Sequence, residues 1–194
     1  MKQFLESADL RQTIASETEK VGGEARRLVA NLTDEQLNWK PAPASWSIAQ
    51  CLDHLAVTSE KFDRDFARAI ARGRLKRRAS GAVRYRPTML GGWLVKQLGP
   101  ETKRKMPAPK VFRPAESSSI KGALERFLRQ QEKFLGFVND GRGIDYNKTR
   151  LRSPVTPLMR YSLADAFVMT VVHGQRHLAQ SRRVRETSGF PRNQ

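Results

Sequence analysis

A chain of 194 residues with 39% apolar and 28% charged side chains has the composition of a folded protein, long enough to bury a core without cross-links. Its single cysteine, Cys51, rules out an internal disulfide, and no stretch has the apolar length of a membrane span or, at the N-terminus, of a signal peptide. The expectation is a soluble, cytoplasmic protein with no membrane partner. Lys and Arg number 36 against 19 Asp and Glu, a formal net charge of +17, and residues 72–116 alone hold thirteen basic and two acidic side chains. Charge of this size attracts polyanions in general and does not specify nucleic acid.

Apolar periodicity predicts four helices. In the first, about residues 4–32, Leu10, Ile14, Val21, Ala25, Leu28 and Leu32 recur at helical spacing, and Gly22 and Gly23 mark a kink or a close packing contact. Pro41 and Pro43 interrupt the connection that follows, where Trp39 and Trp46 are apolar anchors for one end of the core. Ser47 opens the second helix, 47–71, with Gln50 completing a capping box and Ile48, Leu52, Leu55, Phe62 and Phe66 as its stripe. Five prolines divide residues 72–116, a basic crossover in which only Met89 to Leu98 has helical character. The third helix, 118–139, takes its N-cap from the serines at 117–119 and stops before Gly141. The fourth, 162–187, opens on Ser162 with Asp165 three residues on and buries Leu163, Phe167, Val171, Gly174 and Leu178. Its late Arg182, Arg183 and Arg185 suit the negative end of the helix dipole.

No strand is expected. The fold class is all-α: one domain over residues 1–194, a four-helix bundle with one long crossover between helices two and three. A crossover of that length can return the chain to the same end and leave those two helices parallel.

The chain's three histidines, His54, His173 and His177, all fall on predicted helices. Residues four apart share a helix face, so His173 and His177 can offer two imidazoles to one ion, with His54 completing the set from the second helix. They lie on two strips that flank the core stripes, Ser47, Cys51, His54 and Thr58 on one helix and Met169, His173, His177 and Gln180 on the other. Three imidazoles leave a coordination position open, as catalytic metal sites do. Spacing alone leaves ordinary hydrogen-bonded histidines as the alternative, because nothing in it sets helices two and four face to face. The metalloprotease motif HExxH is absent, since Gly174 stands where its glutamate belongs. Cys51 is read as a buried core thiol before a ligand, Arg176 as a surface cation before a substrate contact, and Met169 as core. Gln50 and Gln180 are candidates to orient the imidazoles.

The segment PAPASWSIAQCLDHL, paired with HGQRHLAQ near the C-terminus, resembles the DinB-like superfamily. That group includes DinB/DUF664-type proteins and the related thiol-dependent S-transferases and maleylpyruvate isomerases. The shared pattern is a Trp-Ser helix start, a histidine on helix two and an HxxxH on the last long helix, here Trp46-Ser47, His54, His173 and His177. The resemblance implies a four-helix bundle holding a divalent metal, zinc or nickel, on those three histidines. It further implies transferase chemistry with a low-molecular-weight thiol on a small-molecule substrate, and pairing as a homodimer.

Two functions are therefore expected to compete. One is a metal-dependent transferase or hydrolase whose pocket rim is built from the crossover and the Trp39–Trp46 loop. The other is a binding module whose basic crossover grips a polyanion, nucleic acid or an anionic surface. Tyr85, Trp93 and Phe112 are too sparse there for a base-stacking platform.

Overall fold

The computed structural model of the protein describes residues 1–76, 82–102, 107–116, 120–156 and 158–192. The described elements are α1 (Lys2–Leu5), α2 (Leu10–Val29), α3 (Asp34–Asn38), α4 (Ile48–Leu75), α5 (Met89–Leu98), a 3-10 turn (Lys110–Phe112), α6 (Ala123–Asp140), β1 (Arg150–Arg152), β2 (Arg160–Ser162) and α7 (Leu163–Glu186). Helices α2, α4, α6 and α7 make a four-helix bundle, and polar pairs between them give its directions. Gln175 donates to Glu17 at 2.9 Å, Arg182 pairs with Glu24, and Arg185 donates to the Leu28 carbonyl at 2.8 Å, so α7 runs parallel to α2. Arg126 with Asp53, Lys133 with Asp63 at 2.7 Å and Arg74 with Asp140 at 3.0 Å set α6 parallel to α4. The crossover between α4 and α6 thus returns the chain to its starting end. Helix α4 meets α7 antiparallel, with Phe66 on Phe167 toward one end and His54 on His177 toward the other.

Aromatic packing fixes the core at the end remote from the histidines. The Phe167 ring lies 5.2 Å from Phe66, 5.4 Å from Phe134 and 5.3 Å from Tyr146, and all four side chains are buried. Burying a side chain of this size stabilises by about 1.5–3 kcal/mol, and edge-on aromatic pairs add about 0.5–1.5 kcal/mol.

Both expected capping boxes form: the Gln50 amide donates to Ser47 Oγ at 3.1 Å, and the Asp165 amide to Ser162 Oγ at 2.9 Å. Other boundaries differ from the expectation. The first helix is two pieces, because Asp9 is extended and accepts from the Arg11 amide at 3.1 Å. The Leu10 amide, without an intrahelical acceptor there, donates to the Val83 carbonyl at 2.7 Å. Gly22 and Gly23 produce no break in α2; the close approach lies at Gly174 of α7, where an added Cβ would stand 3.0 Å from Val21. Helix α4 continues to Leu75. Helix α6 starts at Ala123 on Gly122, whose positive φ of 64° suits glycine and which offers no side-chain cap. The serines at 117–119 lie outside the described residues.

A small antiparallel ladder joins β1 to β2, pairing Leu151 with Tyr161, where no strand was expected. Each strand carries one central buried apolar residue between or beside arginines, too little for a period-two pattern to register. The described parts of the crossover likewise pack on the bundle: α5 lies on α7, and residues 107–116 lie as a strap against α4.

Candidate metal centre

The first turns of α4 build half of the site. Ser47 fixes where the helix begins, which places His54 on the side facing α7, next to the apolar stripe of Leu52 and Leu55. Helix α7 brings His173 and His177 to the same point from the opposite direction. The Nε2 atom of His173 lies 3.2 Å from that of His54 and 3.0 Å from that of His177. All three imidazoles thus offer a nitrogen within 4.8 Å of one another, the arrangement needed to hold one metal ion.

On His54 and His177 the opposite ring nitrogen is engaged elsewhere. Nδ1 of His54 donates to the Phe112 carbonyl at 2.6 Å; a carbonyl can only accept, so the proton sits on Nδ1 and the lone pair on Nε2. Nδ1 of His177 donates to Gln180 Oε1 at 3.1 Å, with the same consequence. His173 can then carry a proton toward one neighbour only, which leaves at least one lone pair facing another among neutral rings. A cation among them removes that repulsion. Two ligands about 2.0–2.1 Å from one ion at the tetrahedral angle stand about 3.3–3.4 Å apart, close to the two spacings that His173 makes. The donor set therefore fits a divalent metal.

Burial and charge keep these rings neutral, the state a metal requires. Burial pushes the His54 pKa down, against the opposing pull of the Phe112 carbonyl and Asp53. Burial first, then the neighbouring His177, His54 and Arg176, hold His173 well below the ordinary histidine value. Burial, His54 and Arg176 take His177 to about 3.

Around the rings the strap is gripped by three side chains of α4. Asp53, only 1% exposed, accepts from the Ala115 amide at 2.8 Å and pairs with Arg126 of α6. Gln50, beyond its capping duty, reaches the Ala115 carbonyl at 3.4 Å, and His54 holds Phe112. The Trp46 ring covers the other side, 4.8 Å from His54 and 5.7 Å from His177.

The three histidines open into a cleft of about 1290 Å³ between α4, α5, α7 and the strap. Thr58, Met169 and Gln180 line it, as the predicted strips require, whereas Ser47 and Cys51 are buried away from it. Cys51 is a core thiol pushed up to about 12 by burial, unsuited to act as a ligand or nucleophile at neutral pH. The predicted rim forms from residues 41–46 and the strap, while Trp39 packs edge-on against Phe190 instead. Arg176 is not a solvated surface cation: it donates to the carbonyls of Gln97, Gly99 and Thr102 and ties α7 to the end of α5. Met169 is both core and cleft wall.

Sequence reasoning missed Phe112, Asp53 and Arg126. Phe112 acts through its backbone, which leaves no mark in residue identity. Asp53 had a signal, a carboxylate inside the apolar run IAQCLDHLA.

Among solved structures the chain is similar to YfiT from Bacillus subtilis, at a TM-score of 0.56 and 16% identity over 93% of this chain and 88% of that one. YfiT is described as a probable metal-dependent hydrolase with an unusual four-helix bundle topology. No curated protein matches the chain by sequence. The DinB superfamily model matches residues 17–181, a span that holds all three histidines and the four long helices but for the ends of the first and last, and the chain belongs to that superfamily.

Proposed function

We propose that the protein is a metal-dependent hydrolase in which His54, His173 and His177 hold one divalent ion through Nε2 and the cleft above them takes a small, largely apolar substrate. The observation that carries this is the convergence of three Nε2 atoms at 3.0 and 3.2 Å while the Nδ1 protons of two rings are engaged elsewhere. The description of YfiT as a probable metal-dependent hydrolase supports the same class. Imidazole-only ligation suits zinc or nickel. Such an ion with an open position supplies a water or thiol nucleophile at neutral pH by lowering its pKa.

The chain's own residues do the rest. The Phe112 carbonyl and Gln180 hold the tautomers that present Nε2. Trp46 keeps bulk water from one side of the rings, and Phe62, Phe112 and Leu94 give the cleft apolar walls. Thr58, one helical turn past His54, adds its side chain to the cleft wall, while its hydroxyl is buried with no hydrogen-bond partner among the described residues.

Zinc- or nickel-loaded protein is to be compared with chelated protein on chromogenic esters and amides, with and without a low-molecular-weight thiol. Metal-dependent turnover without thiol supports hydrolysis, and turnover only with thiol supports transfer in its place. No metal-dependent turnover of either kind, in protein that binds the ion, contradicts an enzymatic role.

A further inference from the structure

Helix α5 is apolar on both sides. Its sequence MLGGWLVKQL carries one charge, Lys96, and Leu94 and Leu98 line the cleft while Val95 is buried. On the outer side Met89 is 97% exposed and Trp93 53% exposed. A helix apolar all round is ordinarily covered on every side. Beside it, the turn between β1 and β2 leaves Leu158 93% exposed, and Val155, 48% exposed, lies between this face and the cleft that it also lines.

The two patches belong to one surface. Strand β2 packs on α5. Asn147 accepts from the Arg86 amide and donates to the Arg84 carbonyl, each at 2.9 Å, which ties the segment before α5 to the segment before β1. The Asp165 carboxylate then accepts from the Thr88 hydroxyl at 2.8 Å, the Ser162 hydroxyl at 2.7 Å and the Tyr85 hydroxyl at 2.9 Å, locking α5 to β2 and α7.

Charge on this surface has one sign. Residues 82–100 and 148–162 contain seven Arg and Lys and no Asp or Glu. Arg84, Arg86, Lys96, Arg152 and Arg160 are all exposed. A second copy docked here about a two-fold axis would set cation against cation. Nucleic acid would pair with the cations yet leave Met89 and Leu158 in water.

We propose that this face is a peripheral docking surface for an anionic lipid membrane. Headgroups meet the arginines, and Met89, Trp93 and Leu158 reach the boundary between headgroups and acyl chains, the depth at which tryptophan is favoured. No helix of the described residues is long and apolar enough to cross a membrane, so the contact lies on the bilayer. The sequence expectation of no membrane partner rested on the absence of a span, and its alternative, an anionic surface gripped by the basic crossover, did not include the β1–β2 turn or an apolar contact.

The test is sedimentation of the full chain with vesicles of phosphatidylcholine, alone or with about one-third phosphatidylglycerol, at low and physiological salt. Binding to the anionic vesicles alone is expected, with a blue shift of tryptophan emission that W93F removes. The double variant M89S/L158S changes exposed residues only, which circular dichroism verifies, and should lower partitioning about tenfold or more. R84Q/R86Q should weaken binding and flatten its salt dependence. Failure to bind anionic vesicles at low salt overturns the proposal. So does binding that M89S/L158S leaves unchanged, which means a charge-only contact of the kind nucleic acid makes. Self-association that M89S/L158S abolishes, without vesicle binding, assigns the face to a second copy and equally overturns it.

Discussion

The Phe112 carbonyl oxygen stands 2.6 Å from Nδ1 of His54, so a backbone atom in the crossover decides which nitrogen of a helix α4 histidine is free. The crossover is therefore part of the histidine site as well as a connection. Its position depends in turn on Asp53, which holds the Ala115 amide and is itself paired with Arg126.

Replacing Arg126 with Met should expose that dependence. Breaking a buried ion pair from one side costs about 3–5 kcal/mol, with the lower end expected here because the Arg126 side chain is 36% exposed. Loosening the strap should also weaken metal binding about 10–100-fold, the usual effect of losing a partner behind a ligand. Urea denaturation of metal-free protein and metal titration read the two effects separately. An unchanged metal affinity would mean that the strap does not orient His54.

Metal-free protein should lose stability in mild acid. The unfolded chain takes up protons on its histidines as pH falls below about 6.5, while folded His177 resists until about 3. Between those values the unfolded state binds more protons, so stability drops as pH drops, by about 1.4 kcal/mol per pH unit for His177. His54 and His173, shifted the same way, steepen the slope. Urea midpoints measured from pH 7.5 down to pH 5 check this, and H177N should show a shallower decline.

Gly91 tolerates no side chain. A Cβ there would lie 2.1 Å from the Asp165 carboxylate carbon, which holds the starts of α5 and α7 together. G91A is expected to destabilise by about 3 kcal/mol, the upper range for overpacking. Thermal unfolding tests it; a loss below 1 kcal/mol would show that α5 can lift off Asp165 without penalty.

Thr58→Val should behave in the opposite way. Its buried hydroxyl has no partner to lose, so stability should hold or rise by about 1 kcal/mol. A fall in the urea midpoint equivalent to more than 1 kcal/mol would mean that Thr58 serves the fold.

The bundle was legible because its signals are local. The Ser47–Gln50 and Ser162–Asp165 boxes and the apolar stripes of α4 and α7 are patterns within one turn or one face. The meeting of His54 with His173 and His177 was legible only through resemblance, since helical spacing does not say which helices face each other. What stayed hidden is non-local or backbone-borne. The break before α2 depends on a carbonyl at Val83, the β1–β2 ladder rests on Leu151 and Tyr161, and the Phe112 contact involves no side chain of that residue. Arg176 looked like a surface cation because the carbonyls it holds at and just beyond the end of α5 lie more than seventy residues away in the chain.

The central claim, that three histidines hold one ion, is tested most directly by metal analysis and titration of the full chain beside H54A, H173A and H177A. One equivalent of zinc or nickel bound by the parent chain, with loss of binding by at least about 100-fold in each variant, is the predicted result. Absence of stoichiometric metal and of uptake on titration, or a variant that binds as tightly as the parent, would contradict it.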